Sequence, residues 1–186
     1  MRFLKTELTD VVLVEPDVFR DSRGLFLETH HQEKYAAGGI GVRFVQDNYS
    51  RSIRGTLRGL HYQRAHPQGK LVSVLEGAVF DVAVDIRRGS PTFGRWMGLE
   101  LSAENGRQLY LPPGLAHGFC VLTETAGFYY KCTEFYAPAD ERGIIWNDPG
   151  LKIDWPFAAP LLSAKDSAYK TLAEIMPDDL PLYTRS

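Results

Sequence analysis

Long apolar runs are missing from this chain. No stretch of its 186 residues approaches the roughly 20 needed to cross a bilayer. The first residues, Met1-Arg-Phe-Leu-Lys-Thr-Glu-Leu8, hold no run long enough for a signal peptide. The expectation is a cytoplasmic protein with no membrane partner. Cysteine is scarce too. Cys120 and Cys132 are the only two, both inside apolar runs, which reads as reduced core residues rather than a disulfide. An excess of positive charge is also absent: 21 Lys and Arg stand against 23 Asp and Glu, a formal net charge of -2. Dedicated nucleic-acid binders carry a clear basic excess, so nucleic acid is excluded as a partner. There are no repeats, no low-complexity tract and no linker. With 44% hydrophobic and 12% aromatic residues, the chain can build a core, and its length fits one domain over residues 1–186.

Short strand-like segments separated by turn residues fill most of the sequence. They cover residues 11–14, 25–29, 43–49, 57–63, 71–75, 78–86, 96–101, 108–111, 119–122 and 127–133. Glu76-Gly77, Arg88-Gly89-Ser90-Pro91, Glu104-Asn105-Gly106 and Pro112-Pro113-Gly114 punctuate them. Many strands at this spacing predict a mainly β protein, a sandwich or barrel. In Val79-Phe-Asp-Val-Ala-Val-Asp-Ile86, period two puts Phe80, Val82, Val84 and Ile86 on a packing face. Val79, Asp81, Ala83 and Asp85 share the other, which meets either solvent or a polar interior. Two short peripheral helices are predicted, one over 31–37 closed by Gly38-Gly39 and one over about 166–175 ended before Pro177.

The most informative segment is Thr56-Leu-Arg-Gly-Leu-His-Tyr-Gln63, followed by Gly69-Lys70-Leu71-Val72. It brings a titratable base, His61, near Arg58 and Lys70, an arrangement suited to an anionic substrate that must lose a proton. Regular alternation would send 58, 60 and 62 to one face and 57, 59, 61 and 63 to the other. Gly59 leaves room beside His61 for something other than a side chain.

Gly106, Pro112-Pro-Gly114 and His117 resemble the second half of the cupin signature. Cupins commonly bind a metal through two histidines and a glutamate of an earlier motif plus this later histidine. Here the earlier motif supplies His61, then Gln63, and no carboxylate falls near Pro67-Gln68. Two histidines are too few for a stable transition-metal site, so the expectation is a cupin-like barrel without metal. A His117 that merely caps a turn stays open.

An ordered set of motifs over nearly the whole chain resembles the dTDP-4-dehydrorhamnose 3,5-epimerase family. It begins with Asp21-Ser-Arg23-Gly24, Phe26 and Glu28, then Gln46-Asp-Asn48-Tyr-Ser50 and Gly55-Thr-Leu-Arg58-Gly-Leu-His61-Tyr-Gln63. Gly69-Lys70, Asp81-Val-Ala-Val-Asp85, Pro113-Gly-Leu-Ala-His117-Gly-Phe119 and Tyr130-Lys-Cys-Thr133 follow. Tyr136, Glu141, Trp146-Asn-Asp-Pro149 and Ser163-Ala-Lys165-Asp166 complete it. Each motif is weak alone; their order is specific.

The resemblance implies a cupin-like double-sheet β-sandwich or jelly roll, usually a homodimer. Its reaction inverts carbons 3 and 5 of a dTDP-4-keto-6-deoxyhexose without cofactor or metal. It implies His61 as the base and Asp166 as its orienting partner, although Asp166 also suits a helix N-cap. Tyr130 would be the acid on the opposite sugar face; a core aromatic is the alternative. Lys70 is placed to stabilise an enolate, against a solvated strand-edge lysine. Arg23 and Arg58 suit the pyrophosphate. Glu28, Gln46, Asp47 and Asn48 would contact the nucleotide, and His117 and Tyr136 the substrate. Glu141 and Lys165 match substrate contacts or form a salt bridge. Part of the nucleotide site would come from the neighbouring subunit, with Glu28 able to serve it. His66 reads as an exposed loop residue. The competing functions are an epimerase acting on one carbon, a metal-dependent cupin oxygenase and a non-catalytic nucleotide-sugar binder.

Overall fold

The alternating run at residues 79–86 organises the molecule from both of its faces. In the computed structural model, which describes residues 1–184, it forms an interior strand of a double-sheet, cupin-like sandwich. The strands are β1 (Arg2–Lys5), β2 (Val12–Glu15), β3 (Val18–Asp21) and β4 (Gly24–Leu27). The helix α1 (Gln32–Ala37) precedes β5 (Gln46–Ile53), β6 (Leu57–Gln63), β7 (Lys70–Glu76) and β8 (Ala78–Asp85). β9 (Trp96–Ser102), β10 (Gln108–Leu111), β11 (Leu115–Val121), β12 (Thr125–Cys132) and β13 (Glu141–Gly143) follow. One sheet runs β1-β2-β10-β7-β12-β5, the other β13-β6-β11-β8-β9, and β3 with β4 forms a separate hairpin. All the pairings between these strands are antiparallel.

Val79 and Ala83 of β8 join Val72, Leu109, Phe119 and Phe128 in the core between the sheets. Val82, Val84 and Ile86 face outward into a second core, closed by Ile144, Leu151 and Leu180. Burial of each such side chain stabilises by roughly 1.5–3 kcal/mol, so both faces of this strand are committed. Asp81 and Asp85 therefore lie in the interior, both fully buried. Asp85 is saturated. It takes a fork from Arg87 (Nε 3.0 Å, Nη2 2.8 Å) and hydroxyls from Ser90 (2.5 Å) and Thr92 (2.6 Å), so its role is structural.

The helix expected at 31–37 forms, with His31 as N-cap and Gly38 as C-cap, and its Tyr35 packs with Val14, Ile40, Leu71 and Tyr110 on the outside of the larger sheet. The helix expected at 166–175 does not. Short 3-10 turns at Asp166–Ala168 and Leu172–Glu174 flank an extended Tyr169. Backbone groups needed for a helical ladder are taken elsewhere: the Lys170 carbonyl accepts from Ile145 N (2.9 Å) and Leu172 N donates to Asp148 Oδ2 (2.6 Å). The N-cap alternative for Asp166 falls with it, since Lys165 holds that place. β1, β3 and β13 are strands that the pattern did not announce, and β5 and β11 are displaced from their expected bounds. Among the described residues no helix is long and apolar enough to cross a membrane. Cys120 and Cys132 are buried free thiols.

Candidate active site

β6 departs from regular alternation. Arg58 stands opposite Phe119 of β11, and His61 opposite His117, so three steps on one strand match two on the other. This bulge brings Arg58 and His61 to the same face, where regular alternation would have separated them. Gly59 permits it with φ of 136°. A Cβ there would stand 2.5 Å from the Gly118 Cα, so the space beside His61 is filled by neighbouring backbone. That face opens on a cavity of about 360 Å³ between the sheets.

His61 enters from β6 with Nε2 2.7 Å from Asp166 Oδ1. Burial raises the pKa of the Asp166 carboxyl, but the His61 hydrogen bond and charge, with Ser163 and Lys165, outweigh it and hold it below the usual carboxylate range. An ionised carboxylate only accepts, so in the neutral ring the proton sits on Nε2 and the Nδ1 lone pair is free. Glu141 Oε1 lies 3.9 Å from Nδ1, outside hydrogen-bonding range. The ring is thus aimed as a base by a group behind it.

Tyr130 reaches the cavity from β12. Burial, aided by Cys132, pushes its phenol up to about 12, so it keeps its proton at neutral pH. Tyr129 points to the opposite side with Lys131. Lys70 opens β7, its Nζ 6.0 Å from the Tyr130 ring centroid. Desolvation draws the Lys70 ammonium below the ordinary lysine range, against the pull of Cys132, Glu141 and Asp81. Among the described residues it has no ion-pair partner, unlike the solvated strand-edge lysine that its sequence also allowed. His117, almost fully buried, bonds Asp81 through Nε2 at 2.9 Å and lines the cavity, so it caps no turn.

The mouth is polar and ordered. Gln46 Nε2 donates to Asn48 Oδ1 (2.9 Å), and Gln46 Oε1 accepts from Tyr136 N (2.9 Å). Glu141 Oε2 accepts from the Tyr136 hydroxyl (2.8 Å) and Lys165 Nζ (2.6 Å). The Glu141–Lys165 salt bridge therefore exists and is itself part of the cavity wall. Arg58 donates Nε to Ser52 Oγ (3.1 Å), leaving its other nitrogens for a ligand.

Among the described residues no cluster of three or more His, Cys, Asp or Glu is placed to hold a metal ion. Gln63, at the position of a cupin ligand, is buried and occupied with loop backbone. It donates to His66 O (2.7 Å) and Phe135 O (3.2 Å) and accepts from Ala137 N (2.9 Å).

The family model for dTDP-4-dehydrorhamnose 3,5-epimerase matches residues 5–174. The chain belongs to that family. It is 58% identical to the dTDP-4-dehydrorhamnose 3,5-epimerase of Pseudomonas aeruginosa, over 94% of this chain and 97% of the relative. The crystal structure of a 3,5-epimerase from Legionella pneumophila, bound to dTDP-4-keto-L-rhamnose, superposes with a TM-score of 0.95 at 52% identity, covering 99% of each chain. A 3'-monoepimerase from Streptomyces bikiniensis, bound to dTDP-quinovose, gives a TM-score of 0.90 at 38% identity, covering 98% of this chain and 93% of that one.

Of the residues that the epimerase resemblance singled out, the cavity gathers His61, Lys70, Tyr130, Arg58 and His117, together with Gln46, Asn48, Tyr136, Glu141 and Lys165. Asp166 joins through His61. Three are not brought there. Asp47 lies on the opposite face of β5, bound to Lys131 at 2.8 Å, because it alternates with Gln46 and Asn48. Arg23 sits at the tip of the β3–β4 hairpin, its side chain 88% exposed and paired with Asp21. Glu28 follows that hairpin and pairs with Lys34 at 2.9 Å. Ser50, Gln68, Phe119 and Phe128 line the cavity without having been singled out. Ser50 was legible, since it continues the period of two set by Gln46 and Asn48; the stacked pair Phe119–Phe128, 4.0 Å between centroids, looks like ordinary core in sequence.

Proposed function

We propose that the chain, as one cupin-like domain over residues 1–186, catalyses 3,5-epimerisation of dTDP-4-keto-6-deoxyglucose to dTDP-4-keto-L-rhamnose, a step toward dTDP-L-rhamnose. The observation that carries this is the meeting of three groups in one cavity: an imidazole oriented from behind, a protonated phenol and a desolvated ammonium.

The ketone acidifies the C–H bonds on both adjacent carbons. His61 Nδ1 takes a proton from one face, the electron pair moves into the enolate oxygen, and Lys70 stabilises the charge where it develops. The Tyr130 hydroxyl returns a proton to the opposite face, which inverts the carbon. Each inversion leaves His61 with one proton more and Tyr130 with one fewer, and exchange with solvent resets both. No net oxidation occurs, so the step needs no redox cofactor. Arg58 neutralises the pyrophosphate, and Gln46, Asn48 and Tyr136 order the nucleotide end. His117, held by Asp81, offers a second polar contact to the sugar.

The working unit is a homodimer in which Arg23 and Glu28 of the partner subunit complete the nucleotide site. Supporting this, the β3–β4 hairpin stands away from its own cavity with Phe19 63% and Phe26 70% exposed. Mixing inactive Arg23→Ala and His61→Asn subunits would then restore turnover by rebuilding one intact site.

The deciding experiment incubates the protein with dTDP-4-keto-6-deoxyglucose and the downstream reductase in deuterated water, scored by proton NMR. Deuterium at carbons 3 and 5 and formation of dTDP-L-rhamnose are expected. Label at one carbon alone would point instead to a monoepimerase like the Streptomyces relative. His61→Asn abolishes turnover and leaves dTDP affinity intact; an active variant would remove the assigned base.

A further inference from the structure

His61 and Gly143 are cross-strand partners in the β6–β13 pairing, so they face the same way. Gly143 has no side chain to place beside the imidazole, and Tyr169 occupies that position. A Cβ on Gly143 would stand 2.3 Å from Tyr169 Cε2, too close for the ring to stay where it is. The ring meets His61 edge-on, with centroids 5.9 Å apart and planes at 72°. Its hydroxyl is buried and finds no hydrogen-bond partner among the described residues.

We infer that Tyr169 is a positioning residue for the base, acting through its ring and not its hydroxyl. The inference rests on the reading of His61 as the base. Rotation of an imidazole about its last torsion is soft, so the Asp166 hydrogen bond alone leaves the ring plane loosely fixed. An edge-to-face contact on its flank supplies the missing constraint. Nε2 then stays on Asp166 while Nδ1 stays on the cavity. The segment that delivers both Asp166 and Tyr169 is clipped on either side of them. Leu161 exchanges backbone bonds with Gly55 (2.8 Å) and Leu57 (2.9 Å), and Lys170 accepts from Ile145 (2.9 Å). Orienting carboxylate and flanking ring thus arrive as one rigid insert, and Gly143 is a glycine because the insert's ring takes its place.

Three variants test this: Tyr169→Phe, Tyr169→Leu and Gly143→Ala. The readouts are kcat, KM, dTDP affinity and the NMR signal of the hydrogen-bonded His61 Nε2 proton. Tyr169→Phe keeps kcat and the proton signal. Tyr169→Leu lowers kcat by about 10²-fold, the scale of a small misplacement of a reacting group, with KM and dTDP affinity unchanged and the signal lost to exchange. Gly143→Ala, which keeps the ring but displaces it, does the same. If Tyr169→Leu does not fold, Gly143→Ala alone decides. A folded Gly143→Ala enzyme, or a Tyr169→Leu enzyme, with parental kcat and an intact signal overturns the inference. So does a Tyr169→Phe variant as impaired as Tyr169→Leu, because the role would then belong to the hydroxyl. An active His61→Asn enzyme instead overturns the underlying assignment, and the two failures are separable.

Discussion

Asp166 Oδ1 lies 2.7 Å from His61 Nε2, although 105 residues separate them in the chain. The carboxylate fixes which ring nitrogen carries the proton, and so which one faces the cavity. Asparagine at 166 can present its NH2 to Nε2, which moves the ring proton to Nδ1 and blocks the base, or its carbonyl, which keeps the tautomer but loses the negative charge that stabilises the protonated imidazole. Asp166→Asn is expected to lower kcat by about 10²-fold or more, within the usual worth of a general base, with dTDP binding retained. It also changes stability. The depressed carboxyl contributes stability that is full above about pH 4, its unfolded range, and is lost as pH falls through the lower folded value. Thermal melts on the acid side should therefore depend less on pH in the variant.

On the proposed mechanism, Tyr130→Phe removes the proton donor and leaves the base. His61 can then take a proton and return one to the same face, so exchange proceeds without inversion. In deuterated water, NMR should show label entering the substrate while epimerised product falls by about 10²- to 10⁴-fold. Loss of exchange and inversion together would place Tyr130 on the wrong side of the chemistry.

Lys70→Met separates function from stability. A lysine drawn below its ordinary range costs stability that accrues as pH falls from the unfolded lysine range toward the lower folded value, because the unfolded chain takes up a proton that the folded site resists. Methionine removes that cost. The variant should melt higher than the parent at pH 7 while kcat drops by about 10²- to 10³-fold, the scale of one lost oxyanion donor. A lower melting temperature would show that the ammonium is satisfied in the folded protein.

Asp148, buried in the motif Trp146-Asn-Asp-Pro149, accepts from the backbone N–H of Gly150 (2.7 Å), Leu151 (3.2 Å) and Leu172 (2.6 Å). The last bond ties down the segment that carries Asp166. Asp148→Ala leaves buried donors unpaired, at a cost of about 1–3 kcal/mol for each group that water does not reach. Denaturant unfolding should show the loss, and kcat should fall with dTDP affinity unchanged.

Much of this site was legible because strand alternation and motif order depend on local chemistry. Gln46 and Asn48 face the cavity together, as period two requires; it admits only one of Tyr129 and Tyr130, and the motif selects Tyr130. What alternation hid was the β6 bulge: an extra residue inverts parity, so Arg58 and His61 share a wall that regular spacing denies them. The 166–175 segment misled for the opposite reason. Its local propensity is helical, but long-range partners at Ile145 and Asp148 claim its backbone, and tertiary bonds outweigh a weak local preference. β13 is three residues long and carries no period to detect. Tyr169 was invisible because its meaning lies in an absence on another strand, the missing side chain of Gly143.

β5 ends the larger sheet, and its outer face alternates Asp47, Tyr49, Arg51 and Ile53. Tyr49 and Ile53 are 56% and 60% exposed, the composition of a strand on which misfolded chains could add and grow into fibrils. Asp47 bonded to Lys131 at 2.8 Å, and Arg51 to Glu76 at 3.0 Å, put charge at every other step. A foreign strand stacking there would have to dehydrate both pairs. The same strand that turns the Gln46 and Asn48 amides into the cavity thereby carries, on its back, a guard against runaway polymerisation.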